Sequence, residues 1–143
     1  VPRGHIAESE IDIAAPPTEV WAALTDVGTL GEVMFGSEVE TDWSIGAPIV
    51  YRGEWQGKPF EDRGVVLEVN EPHRLRLTHA TGTGDDDDPN DQHEVVYELE
   101  DLGNATHVRL TQDNNATAEA AEHASANWET MLASLKRVVE RGR

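Results

Sequence analysis

His79 and His93 flank the acidic stretch "TGTGDDDDPND" (81–91), and each lies in a segment of alternating apolar and polar residues. If the two segments pair as a hairpin, both imidazoles stand on one face near its open end. Two imidazoles placed so can hydrogen-bond a ligand, pass a proton or hold a metal. A metal needs a third ligand, and the chain has no HxH or HExxH spacing to supply one. Polar lining at a strand end is therefore the plainer role. Asp85 to Asp88 invite a calcium reading, but "DDDDPND" lacks the central glycine and terminal glutamate of a calcium loop, so it reads as a solvated turn. The glycines at "GTG" have no dinucleotide or Walker context, and no serine sits in a nucleophile elbow. With no cysteine present, thiolate nucleophiles, thiolate metal sites and disulfides are excluded together.

The elements that must position the histidines follow from hydrophobic period. His5 to Ile13 alternates as a half-buried strand, and Pro16 and Pro17 end it. Thr18, Val20, Trp21 and Leu24 begin a short helix, with Glu19 at its positive end and Trp21 packed under the sheet edge. Thr25, Asp26 and Gly28 break that helix, and "TLGEVMFG" predicts a second short helical turn. Strands follow at Ser37 to Trp43 and Pro48 to Trp55, the latter with Ile49, Tyr51 and Trp55 on one side. Phe60 to Val69 is apolar on both faces near its end, which leaves its orientation open. Arg74 to Ala80 alternates with Leu75, Leu77 and His79 on one face. His93, Val95, Tyr97 and Leu99 share a face of the next strand. Val108 and Leu110 point inward from Ala105 to Gln112, with His107 and Arg109 outward. Ala116 to Arg141 is one long amphipathic helix, for which Asn114 or Asn115 is the expected cap.

At 143 residues the chain has the size of one domain, assigned to 5–143. Val1 to Gly4, "VPRG", resemble a thrombin-site remnant and are set aside. The formal charge of −17, from 28 acids against 11 bases, repels phosphate backbones and anionic lipid, so neither nucleic acid nor a membrane surface is expected as a partner. No apolar run approaches the roughly 20 residues that span a bilayer, and no signal segment is visible. A soluble, cytoplasmic protein is the expected setting.

The order of elements is one strand, two short helices, six strands and one long helix. Short turns make the strands antiparallel, and the helix lays its apolar stripe across the concave face of a curved sheet, an α+β architecture. The segments "IDIAAPPTEVWAALTD", "VETDWSIGAPIVYRG", "RGVVLEVNEPHRLRLT", "VVYELEDLGNATHVRLTQ" and "NWETMLASLKRVVE" together resemble the SRPBCC superfamily, with its START and birch-pollen-allergen-like helix-grip fold. Within it the chain is most similar to the homologues of the activator of the heat-shock-protein-90 ATPase, in their stand-alone bacterial-type form. The likeness runs from about residue 6 to 141.

The resemblance implies a cavity between the long helix and the sheet that takes apolar or amphipathic small molecules. Its expected lining is Tyr51, Trp55, Leu77, His79, His93, Tyr97, Trp128 and Met131, with Met34 and Phe35 at the mouth. The leading functional reading is non-enzymatic binding of a small hydrophobic molecule, with no cofactor and no metal. A second reading is a polyketide cyclase or dehydratase-like enzyme, in which His79, His93 and Tyr97 perform acid–base chemistry. A third is a chaperone-activating interaction module, although that family name comes from longer multidomain proteins and no docking motif is visible. A homodimer formed through a sheet edge is compatible with all three.

Overall fold

The computed structural model describes residues 4–34, 36–55, 57–80 and 93–141, with the backbone alone described at Trp55. Seven strands and three helices follow one another as the sequence order predicts: β1 (His5–Ile13), α1 (Pro17–Leu24), α2 (Val27–Val33), β2 (Glu38–Glu40), β3 (Pro48–Trp55), β4 (Lys58–Asn70), β5 (Arg74–His79), β6 (His93–Asp101), β7 (Thr106–Asn115) and α3 (Ala118–Arg141). The strands form one antiparallel, curved sheet in the order β1-β7-β6-β5-β4-β3-β2. The fold is the expected α+β helix grip.

Side-chain alternation sorts the sheet into two faces. The inner face carries Ile13, Ile49, Val66, Leu75, Leu77, Val95, Val108 and Leu110, all at most 2% exposed. The outer face is laced by ion pairs: Arg76 bridges Glu94 (2.7 Å) and Glu68 (3.1 Å), and Arg52 bridges Glu40 (2.7 Å) and Glu61 (2.9 Å). Such exposed pairs add little stability each, but they keep one face of every strand polar.

Helix α1 starts with Pro16 in extended conformation and Pro17 in the first turn, where a missing N–H costs nothing. It ends at Thr25, whose hydroxyl donates to the Trp21 carbonyl at 2.8 Å. Asp26 then caps α2 by accepting from the Thr29 backbone N–H (3.3 Å) and hydroxyl (2.6 Å). Val20, Trp21 and Leu24 are buried in the main core.

Two boundaries differ from the sequence expectation. The strand expected over Ser37 to Trp43 shrinks to Glu38–Glu40. The Thr41 hydroxyl accepts from the Trp43 N–H and the Asp42 carboxylate from the Ser44 N–H, and Trp43 takes a left-handed φ of 63°. These local side-chain bonds turn the chain out of the sheet. Asn114 and Asn115 end β7 instead of capping α3. The cap is Thr117, whose hydroxyl accepts from the Ala120 N–H at 3.0 Å.

Helix α3 runs along β1 and ties down its outer edge. Ser125 Oγ accepts from the Glu8 N–H (3.1 Å), Lys136 Nζ donates to the Asp12 carbonyl (2.8 Å), and Glu140 accepts from the Ala14 N–H (2.8 Å). An edge strand of nine residues would otherwise offer a template for foreign strands. Inward from this edge, Trp128, Met131, Leu132 and Leu135 pack on the sheet.

β1 and β7 also carry a titrating pair. His107 Nδ1 lies 2.6 Å from Asp12 Oδ1 and its Nε2 lies 3.4 Å from Glu10 Oε1. The Asp12 hydrogen bond raises the His107 pKa above its ordinary 6.5; burial opposes this and Glu10 adds to it. A raised folded-state pKa gives stabilisation that is complete below the unfolded value and fades as pH rises through the folded one. His107→Gln is therefore expected to lower the urea midpoint below pH 6.5, and to match the parent protein at alkaline pH. Parallel midpoint curves across that range would show that the imidazolium contributes nothing.

Candidate functional site

The inner face brings most of the predicted lining together. Tyr97 and Leu75 are direct cross-strand partners, as are Leu77 and Val95, and His79 and His93. Tyr51, Leu77 and Tyr97 are at most 3% exposed; Trp128 is 8% exposed and Met131 is fully buried. Met34, at the end of α2, packs half-buried against the same cluster. Phe35 and the Trp55 side chain lie outside the described residues, as does the acidic stretch 81–92.

The two histidines share a face and a register, yet they turn to different partners. His79 Nε2 lies 3.1 Å from Asp62 Oδ2, and its ring stacks on Tyr51 with centroids 5.2 Å apart and planes inclined by 23°. His93 Nδ1 lies 2.7 Å from the Asp113 carbonyl oxygen on β7. The result is one Tyr51–His79–Asp62 group across β3, β4 and β5, and a separate polar cluster at the end of β7. In that second cluster the Trp128 indole donates to Gln112 Oε1 at 2.7 Å, and the Asp113 carboxylate accepts from the Glu94 N–H at 2.6 Å. Among the described residues, no group of three or more His, Asp or Glu side chains is placed to hold a metal.

Tyr51 and Tyr97 are chemically unlike their neighbours. Among the described residues neither phenol has a hydrogen-bond partner, although each ring is almost wholly buried. Among the described residues, no side-chain polar atom sealed away from water lacks a partner. Both rings stand in an otherwise apolar layer. Burial and then Asp62 push the Tyr51 phenol above its ordinary pKa; burial and then Tyr51 do the same to Tyr97. Both remain neutral donors at any physiological pH.

Asp62, Gln112 and Asp113 were absent from the expected site. Gln112 follows Val108 and Leu110 at period two, so alternation could have found it. Asp62 could not be oriented, because a register shift between Val66 and Glu68 interrupts the alternation of β4.

Two grooves lie outside the grip. One of about 410 Å³ runs between the start of β1 and the first half of α3, beside Ile6, Ala121 and Ser125. The other, of about 530 Å³, lies on the outer sheet face among Arg74, Arg76, Glu94, Val96, Glu98 and Arg109. No helix of the described residues is long and apolar enough to cross a membrane.

Comparison with known proteins adds a family match over most of the chain. The family described as Activator of Hsp90 ATPase homolog 1-like protein matches residues 14–140. No curated protein sequence matches the chain. The solution structure of protein ChR145 from Cytophaga hutchinsonii is 40% identical, with 99% of this chain and 98% of that one covered and a TM-score of 0.83. The Aha1 dimer from Colwellia psychrerythraea is 22% identical, with 97% and 98% covered and a TM-score of 0.76. An Hsp90 activator from Plasmodium falciparum is 21% identical, with 96% and 97% covered and a TM-score of 0.76. At those last two identities the likeness speaks for the fold alone.

Proposed function

As the chain belongs to the Activator of Hsp90 ATPase homolog 1-like family, we propose that it binds a small hydrophobic or amphipathic molecule, without turning it over, between α3 and the inner face of the sheet. The observation that carries this reading is the pair of nearly buried phenols, Tyr51 and Tyr97, which stand in an apolar layer with no hydrogen-bond partner among the described residues. Residues that only fill a core do not need two unpartnered donors there, since phenylalanine packs as well. Leu77, Met131 and Trp128 supply the apolar wall, and α2 with Met34 stands at one side of it. Charge agrees with this choice, because a chain of net −17 repels polyanions and not neutral apolar molecules.

Native mass spectrometry of the protein purified from its own host tests this directly. A retained apolar molecule, lost on mild organic extraction, is the expected result. A bare protein that also takes up no long-chain ligand on incubation would overturn the reading.

A second reading is favoured by the Asp62–His79 pair beside Tyr51, the arrangement in which a carboxylate orients an imidazole for proton transfer. Under this reading an incubated ligand is released with altered mass or connectivity, and His79→Gln abolishes the change. Pairing of two copies edge to edge, if it occurs, falls to β2, because α3 occupies the outer edge of β1.

A further inference from the structure

We propose that His79 and His93 form a hydrogen-bond acceptor edge at the rim of the inner face, so that the ligand is an apolar molecule carrying a hydroxyl group. This rests on the reading of an apolar ligand under α3 and adds the chemistry of its polar end.

Which nitrogen of a neutral imidazole carries the proton is set by the partner the ring already has. His79 Nε2 lies 3.1 Å from Asp62 Oδ2; a carboxylate only accepts, so Nε2 is the protonated nitrogen. His93 Nδ1 lies 2.7 Å from the Asp113 carbonyl oxygen, which likewise only accepts. Each ring is thereby fixed as a donor to the protein, and its other nitrogen keeps a bare lone pair. These are Nδ1 of His79 and Nε2 of His93, and neither has a partner among the described residues.

The two histidines are direct cross-strand partners on β5 and β6, so both acceptors belong to one short stretch of the face. Tyr51 stacks on the His79 ring at 5.2 Å and holds its plane. The His79 side chain is 12% exposed and that of Asp62 22%, which puts this pair at the rim and not in the sealed core. Leu77, two residues inward on β5, begins the apolar wall.

A hydroxyl is the neutral group that donates to such an edge. An ether has no proton to give and would set lone pair against lone pair. A carboxylate would meet Asp62 as a like charge beside His79. An ammonium donates too, but it must leave water for a face walled by Leu77, Val95 and Tyr51, each at most 3% exposed. A neutral hydroxyl avoids that cost.

The test uses the full chain and displacement of the neutral dye phenylnaphthylamine by four ligands of equal chain length: a fatty alcohol, its methyl ether, a carboxylate and an amine. The alcohol is expected to bind roughly three- to tenfold tighter than the ether, the value of one net hydrogen bond. His79→Phe or His93→Phe is expected to bring the alcohol down to the ether's affinity and leave the ether unchanged. Nitrogen-15 NMR of the unsubstituted protein in weakly alkaline solution checks the same point without a variant. His79 is expected to be protonated on Nε2 alone and His93 on Nδ1 alone, with the alcohol moving the bare nitrogen of at least one ring. The opposite tautomers, or bare nitrogens that ignore the alcohol, would overturn the acceptor edge. Equal affinities for alcohol and ether, untouched by either substitution, would overturn it and leave apolar binding standing. Tightest binding by the carboxylate or the amine would overturn the chemical class. Failure of all four to displace the dye would remove apolar binding under α3, and the acceptor edge with it.

Discussion

Trp128→Ala is expected to destabilise the protein by about 3–5 kcal/mol, the range for removing a large aromatic from a packed interior. Two losses add. The ring is 8% exposed and packs inside the main core, so its removal leaves a void that α3 cannot close while Ser125, Lys136 and Glu140 hold it to β1. The indole N–H also leaves Gln112 Oε1, on a side chain only 8% exposed, without its donor. Trp128→Phe separates the two contributions: it keeps most of the ring and loses the hydrogen bond, at about 1–3 kcal/mol. Adding Gln112→Leu to Trp128→Phe should recover part of that cost, because both partners of the bond are then apolar. Urea unfolding of the four proteins measures every term. A cost below about 1 kcal/mol for Trp128→Ala would show that the ring rides on the surface.

Gly64→Ala is expected to cost about 3 kcal/mol or more, for a reason unrelated to backbone conformation. A Cβ at Gly64 would fall on the Thr78 carbonyl oxygen, 2.7 Å from the Thr78 carbonyl carbon and 3.3 Å from Ile49 Cγ2. The neighbour is backbone, so no rotamer change relieves it. β4 and β5 are pinned on both sides of this point: Val65 N–H donates to Thr78 Oγ1 at 2.8 Å, and Arg63 and Ala80 exchange two backbone bonds at 2.9 and 2.7 Å. Forcing the strands apart breaks these bonds and separates Asp62 from His79. A drop in thermal midpoint of roughly 10 °C or more is the expected result. An unchanged midpoint would mean that β4 and β5 stand further apart than described.

The two substitutions also mark what could be read from sequence and what could not. Strands with one buried face were legible: β5 and β6 alternate throughout, and β1 and β7 do so up to the register shift between the Ala7–Gln112 and His5–Asn115 pairs, so Leu77, Tyr97 and His79 fell on the inner side as expected. α3 was legible for the same reason at its own period, and the register that sets His79 opposite His93 followed from the hairpin. β4 was not, because its register shift places Val66 and Val69 on one side, three residues apart. That irregularity hid Asp62, and with it the partner that turns His79 away from His93. The start of α3 was misplaced because Asn114 and Asn115 resemble caps, whereas they close β7 and the threonine two residues further on does the capping. Cross-strand partners of polar side chains depend on register between distant segments, and no local pattern encodes them.

The most direct test of ligand binding under α3 is a two-dimensional NMR titration of the full chain with a long-chain fatty alcohol. Shift changes are predicted to cluster at Tyr51, Leu77, Tyr97 and Met131, with smaller ones at Trp128 and His79. Changes confined to the outer groove around Arg74, Val96 and Arg109, or to the groove beside Ala121 and Ser125, would contradict it, as would a spectrum that does not move.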